Sequence, residues 1–254
     1  MDWRYHLLKR TGYSFPTKET AGKTLEFLGT SGVGKSTIFN KSVARLKNRW
    51  LFAYHLGFLK RKSPPSEVDK TLMDILMSRI ATINSSDSFC PWHSLIDLQL
   101  SVRIMLETMQ VLHDVFPKGI AFDEGFFRHF AAEILQLGDE FPDQLWNNRA
   151  IVYLRTQKPE TVLLRHKSRW MASAAQGEIQ RVKTDDQILS EITQEQEMFQ
   201  IIVDRALSFG CPVIVIDAEN PIQESIKKIL DFEKSLGQQF SVQQKMESNP
   251  QLSA

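Results

Sequence analysis

The sequence predicts an α/β protein of three layers, a mainly parallel sheet with helices on both faces. Short β-prone runs alternate with longer helical patterns along the chain. Several of those runs, RAIVYLR at Arg149–Arg155 and CPVIVID at Cys211–Asp217 among them, carry near-continuous apolar residues, as strands buried on both faces do. The first run passes directly into a glycine-rich turn and a helix.

Taken in order, residues 1–23 are polar with scattered aromatics and read as an N-terminal extension. Thr24–Leu28 (TLEFL) is the first strand, and the turn GTSGVGKST leads to a helix reaching about Arg49. Trp50–Leu56 is a second strand, and Lys60–Ser66, with Pro64 and Pro65, is a loop. Helical periodicity marks Glu67–Ile83 and His93–Phe116, separated by the turn-rich NSSDSFCP. Gly119–Asp123 is the third strand and Phe126–Leu137 a helix after it. Arg149–Arg155 is the fourth strand, and Pro159 suits the first position of the following helix. Residues 184–208 are helical, Cys211–Asp217 is the fifth strand, and Pro221 opens a last helix to about Leu236. Residues 237–254 are rich in Gln and Ser and are expected to form a flexible tail, leaving 24–236 as the folded domain.

Composition narrows the functional classes. The chain has 254 residues with 31 Lys+Arg against 30 Asp+Glu, so a dedicated nucleic-acid binder with a large basic excess is not expected. Cys90 and Cys211 stand far apart, which excludes a CxxC pair and a disulfide framework. No apolar run reaches the ~18–20 residues of a membrane span. The N-terminus lacks the apolar core of a secretory signal, so a cytoplasmic protein is expected. The near-zero net charge conceals a local imbalance. Between Arg149 and Lys183 there are eight Lys or Arg against two Asp or Glu.

The glycine-rich turn carries the chemistry. Gly29-Thr30-Ser31-Gly32-Val33-Gly34-Lys35-Ser36, followed by Thr37, fits G-x-x-x-x-G-K-[ST], the Walker A or P-loop pattern. Its glycines let successive N–H groups converge on phosphate oxygens. Lys35 would reach the β- and γ-phosphates of ATP, the Ser36 hydroxyl would ligate Mg²⁺, and the helix start would add its positive end.

At the end of the third strand stand Asp123 and Glu124, as a Walker B element requires. Asp123 would hold Mg²⁺ or accept the proton of the attacking hydroxyl, and Glu124 would polarise a nucleophile. Arg165 and Arg169, at i and i+4 on the helix after the fourth strand, face the same way and would neutralise a moving phosphoryl group from a lid spanning about 156–190. Asp217 and Asn220 follow the fifth strand, where the loop would pack against adenine. For Asn220 an N-cap role is an equal reading. Arg103 and Arg128 read more readily as surface or structural arginines than as acceptor contacts, and no His spacing suggests a metal site.

With these residues assembled, the chain resembles the P-loop kinases of the nucleoside and nucleotide kinase type, the thymidylate kinase-like group. The resemblance rests on LEFLGTSGVGKST, IAFDEGFFRHF, IVYLRTQKPETVLLRHKSR and VIVIDAENPIQESIKKI. It implies a P-loop NTPase fold with a five-stranded parallel sheet in the order 2-3-1-4-5 and a helical lid. It also implies Mg²⁺-dependent transfer of the γ-phosphate of ATP. At the strand 3 end the chain departs from that group, with Asp123-Glu124-Gly125 in place of a DR-type motif. The acceptor class therefore stays open among nucleosides, nucleotides, sugars and glycan ends, as does oligomeric state. The rival function is a P-loop ATPase coupled to a partner or a conformational change, for which Glu124 would orient water.

Overall fold

A computed structural model describes residues 23–46, 50–52, 66–85, 91–113, 119–174 and 184–248. The expected N-terminal extension up to residue 22 lies outside the described residues, as do residues 53–56 of the expected second strand, residues 60–65 of the loop after it, the turn at 86–90 and the last six residues.

Among the described residues the sheet has five strands, β1 (Thr24–Leu28), β2 (Trp50–Phe52), β3 (Gly119–Phe122), β4 (Arg149–Arg155) and β5 (Val213–Asp217), ordered β2-β3-β1-β4-β5 with every pair parallel. All five residues of β1 are buried, as the central position demands. Its register sets Glu26 beside Phe122 of β3 and Ile151 of β4.

Alternate side chains of each strand point to opposite faces and feed two separate cores. On one face Leu25 and Phe27 of β1 and Val152 and Leu154 of β4 meet α1 (Lys35–Leu46) through Ile38, Phe39 and Val43. Also on that face are Val162 and Leu163 of α6 (Pro159–Ala174) and Ile229 and Leu236 of α8 (Ile222–Ser248). On the other face Leu28, Ile151 and Tyr153 meet α2 (Glu67–Ser85) through Leu72 and Ile75, and α3 (Pro91–His113) through Ile104 and Met105. Short helices α4 (Phe126–His129) and α5 (Ala131–Leu137) complete that core with Phe126, Phe127, Phe130 and Ile134. Phe127 stacks on Trp146 with centroids 4.5 Å apart, and Trp146 stacks in turn on Phe209.

Helix α7 (Asp185–Ser208) belongs to both cores. Ile188 and Ile192 pack on the first face, Phe199, Ile202 and Val203 on the second. Between those two groups Gln196 accepts the backbone N–H of Thr156, just past β4. The middle of α7 therefore lies across the carboxyl ends of the strands, where ligands of parallel α/β sheets bind. A capping box of Thr184 and Gln187 fixes where the helix begins.

Three expectations are corrected. The single helix over 126–137 is two, divided at Phe130 (φ −110°, ψ 24°), which keeps Phe126, Phe127, Phe130 and Ala131 all in one core. Strand β5 begins at Val213 and is not covered on both faces, because it lies at the sheet edge, where Val215 is 44% exposed. An apolar run cannot by itself distinguish an edge position from a central one. The last helix does not stop near Leu236 but continues to Ser248, so residues 237–248 are helical instead of a flexible tail. Gln, Lys, Met and Glu are good helix formers, and the next proline is Pro250. Within the stretch expected as a lid, Val162 and Leu163 of α6 and Ile188 of α7 are buried, and 175–183 lie outside the described residues.

Candidate functional site

The loop between β1 and α1 has the shape its glycines predict. Gly29 (φ +150°) sits where a Cβ would come within 2.5 Å of the Leu154 carbonyl oxygen. Gly32 (φ +80°) adopts a backbone that side-chain-bearing residues rarely take. Helix α1 starts at Lys35, so its unpaired N–H groups open into the loop. Ser36 and Thr37 follow on its first turn, both exposed, whereas Thr30 is buried with its hydroxyl unpartnered.

Lys35 is only 5% exposed. Burial pulls its ammonium pKa down to about 8, and the nearby Arg128 charge adds to the fall. The carboxylates of Glu124, Asp123 and Glu195 oppose it. This Lys35 environment brings together the P-loop, both acidic residues after β3 and a residue of α7.

The acidic pair is held from beneath by a buried carboxylate that sequence reasoning passed over. Glu26, in the middle of β1, accepts the backbone N–H groups of Phe127 (2.6 Å) and Arg128 (3.3 Å) and pairs with Arg149 at 3.4 Å. Burial outweighs the Arg149 charge and these hydrogen bonds, and pushes the Glu26 pKa up to about 6. A Cβ at Gly125 would collide with the Glu26 carboxyl group, so glycine is the residue that fits between Glu124 and α4. Arg149 in turn lies 5.0 Å from the centroid of the Phe127 ring.

Arg128, read from sequence as a surface or structural residue, is structural. Its Nε donates to the Gly29 carbonyl oxygen at 3.4 Å, and its Nη1 pairs with Glu124 at 3.1 Å. Its spacing of four from Glu124 was the available signal. Arg103 is 48% exposed and pairs with Glu107 on its own helix. The buried His129 shares a 2.7 Å hydrogen bond with Ser101, and burial lowers its pKa to about 4, so it is neutral at physiological pH.

Arg165, on α6, reaches the loop. Its Nη1 donates to the carbonyl oxygens of Val33 (2.8 Å) and Gly32 (3.4 Å), and the neighbouring His166 Nε2 lies 3.0 Å from the Ser31 carbonyl oxygen. Arg169 lies on the same helix, but its side chain is outside the described residues. From α7, the Glu195 carboxylate accepts the Ser31 backbone N–H at 3.2 Å. Neither His166 nor Glu195 was singled out from the sequence, since nothing local marks a histidine or a glutamate on a polar helix as a partner of a loop more than 100 residues away.

A cleft of about 400 Å³ opens beside the loop, lined by Gly32, Val33, Gly34, Thr37, Arg165 and Asn220, with further contributions from α6 and the start of α8. Its size suits part of a nucleotide. Asn220 thus lines the cleft. Asp217 does not line the cleft. Its Oδ1 accepts the backbone N–H of Glu219, a local turn bond, and this contact with Glu219 holds its pKa low. The Glu219 side chain receives the Thr156 hydroxyl and the Gln157 N–H, and so ties the β5 turn to the end of β4.

The residues present fit a divalent cation in one limited way. The Asp123 Oδ1 atom is buried without a hydrogen-bond partner, and Ser36 stands exposed at the start of α1. No group of three or more His, Cys, Asp or Glu converges among the described residues. A cation here would draw its other ligands from phosphate oxygens and water, as Mg²⁺ commonly does.

No protein-family model matches the chain, and no curated protein matches it in sequence. Among solved structures it is similar to deoxyadenosine kinase from M. mycoides with bound dATP, at 16% identity and a TM-score of 0.46, over 84% of this chain and 100% of that one. It is also similar to shikimate kinase from Bacteroides thetaiotaomicron, at 14% identity and a TM-score of 0.41, over 84% of this chain and 98% of that one. A gluconokinase from Sinorhizobium meliloti matches at 13% identity and a TM-score of 0.39, over 87% and 97% respectively. With TM-scores below 0.5, none of these likenesses bears on what the chain does.

The class is defined by the chain's own features: a parallel sheet of order β2-β3-β1-β4-β5 with a G-x-x-x-x-G-K-S loop between its central strand and α1 is a P-loop α/β fold. No described helix is long and apolar enough to cross a membrane.

Proposed function

We propose that the protein is an ATP-dependent phosphotransferase that moves the γ-phosphate of ATP to a hydroxyl or phosphate of a small molecule. The observation that carries this reading is the setting of Lys35, a buried ammonium beside the P-loop that feels both Asp123 and Glu124. An ATPase or kinase needs positive charge at the β/γ-phosphates and a carboxylate across from it.

In this reading the loop amides from Gly29 to Thr37 and the start of α1 bind the phosphates, and Lys35 draws charge from the transferring group. Ser36 and Asp123 hold Mg²⁺, which supplies charge neutralisation at the phosphate oxygens. Glu124, tethered by Arg128, sits next to Asp123 and is the second carboxylate able to take the acceptor's proton. Ala218, Asn220 and Ile222 border the adenine end of the cleft. Arg165 and Ser168 of α6 line the same cleft.

The test is incubation with γ-labelled ATP and Mg²⁺ against a panel of nucleosides, nucleotides, sugars and glycan ends. Label on one acceptor class supports the kinase reading and names the substrate. Label released only as free phosphate, whatever acceptor is present, supports the ATPase instead. Absence of any ATP binding would remove both.

A further inference from the structure

The P-loop is gripped from outside by its carbonyl oxygens, and the grip has a geometric consequence for its N–H groups. A trans peptide unit is planar, with its C=O and the following N–H pointing in opposite directions. Fixing the carbonyl of one residue therefore fixes the aim of the next residue's N–H. The His166 hydrogen bond to the Ser31 carbonyl sets the direction of the Gly32 N–H, and the 2.8 Å bond from Arg165 to the Val33 carbonyl sets that of the Gly34 N–H. Gly32 and Gly34 both line the cleft.

A carbonyl oxygen only accepts, so His166 contributes Nε2–H, a donor present in one neutral tautomer and in the imidazolium. The two parts are fitted closely. A Cβ on Gly32 would lie 2.9 Å from His166 Nε2 and 3.2 Å from Val162 Cγ1, so this glycine both takes a positive φ and leaves room for the imidazole edge. Helix α6 is a firm mount, since Val162 and Leu163 are buried in the core beneath it. The same Ser31 residue is held at its N–H by Glu195.

We propose that His166, together with Arg165, is a positioning residue for nucleotide phosphate: it aims the P-loop amides and does not itself act on the transferring group. The proposal rests on the nucleotide-binding reading above and adds to it a residue that the Walker A pattern does not contain. Preorganised N–H groups lower the reorganisation needed when an anion arrives, so the effect falls on nucleotide affinity and KM.

The experiment is isothermal titration of Mg-ADP into the full chain and three variants, with a thermal melt of each. His166→Gln keeps an N–H donor at nearly the place of Nε2, whereas His166→Asn is polar but too short and His166→Leu has no donor. The expected result is wild-type affinity for His166→Gln within about twofold, and a loss of about tenfold for His166→Asn and His166→Leu, the worth of one well-formed hydrogen bond. KM for ATP rises in the same order while kcat changes less. Equal affinity in all four proteins overturns the proposal, as does an equal loss in His166→Gln and His166→Leu. Should His166→Leu fail to fold, the Gln and Asn pair decides. If wild-type protein does not bind Mg-ADP, the nucleotide reading itself fails and this proposal with it; binding by wild type with no ordering among variants sinks the proposal alone.

Discussion

The Glu195 carboxylate on α7 accepts the backbone N–H of Ser31 at 3.2 Å, so a negative group already sits on one donor of the loop proposed to receive phosphate. A nucleotide reaching that loop meets like charge unless a cation accompanies it. Glu195→Gln retains an acceptor for Ser31 but removes the charge. We expect the variant to bind ADP without Mg²⁺ about fivefold more tightly than wild type, with a smaller change for Mg-ADP, the scale of one partly screened charge interaction. Fluorescence or calorimetric titrations with EDTA and with Mg²⁺ check this. Weaker binding under both conditions would show that Glu195 supports the bound state instead.

If the loop binds nucleotide as proposed, the affinity is expected to depend on pH through Lys35. With its pKa at about 8 in the free protein, the ammonium is charged below that value and loses its proton above it. Anions bind the charged form, so Kd for Mg-ADP is expected to be flat between pH 7 and 7.5 and to rise by up to about tenfold per pH unit beyond 8. A break nearer 10.5 would mean that Lys35 is not desolvated as the structure has it.

The same burial makes Lys35 a liability to the fold. Its pKa is depressed from 10.5 to about 8, so the folded state releases this proton more readily than the unfolded one. The destabilising contribution is fully present below pH 8, shrinks as pH rises from 8 to 10.5, and is of the order of 3 kcal/mol at pH 7. Lys35→Met keeps the apolar stem without the charge. It is expected to unfold at higher urea than wild type at pH 7, with the difference vanishing near pH 10.5, and to lose nucleotide binding and turnover. A variant that binds Mg-ADP like wild type would remove the P-loop premise.

Gly125→Ala tests the support beneath the acidic pair. Its new methyl group would meet the Glu26 carboxyl, which holds the N–H groups of Phe127 and Arg128. A loss of roughly 1–3 kcal/mol is expected, the usual range for overpacking a filled site, along with reduced turnover as Asp123 and Glu124 shift. Chemical denaturation and a steady-state assay measure the two effects. Unchanged stability would mean that β1 and α4 yield without consequence.

Much of the site was legible because its signals are local. Glycines at 29, 32 and 34 carry positive φ, and the pattern G-x-x-x-x-G-K-S states that need in consecutive residues. Asp123 and Glu124 are candidates because an apolar run ends in two carboxylates, and the Oδ1 of Asp123 is buried without a hydrogen-bond partner. The reading faltered where composition stood in for geometry. Asp217 looked like a nucleotide contact and is a turn residue, while residues 237–248 looked too polar for order and form a helix.

What the sequence by itself determined is the glycine-rich loop, the alternation of strands and helices around it, and the acidic pair at the end of β3. Each follows from backbone freedom or hydrophobic periodicity within a dozen residues. The tertiary structure alone decided what surrounds them: Arg149 on Glu26 across 123 residues, His166 on Ser31 across 135, Glu195 on Ser31 across 164. Such pairs leave no periodic trace, because a buried charge or a pinned carbonyl depends on which faces the packed sheet and helices bring together. The fold places α6 and α7 against the loop, and only then do an ordinary histidine and an ordinary glutamate become part of the site.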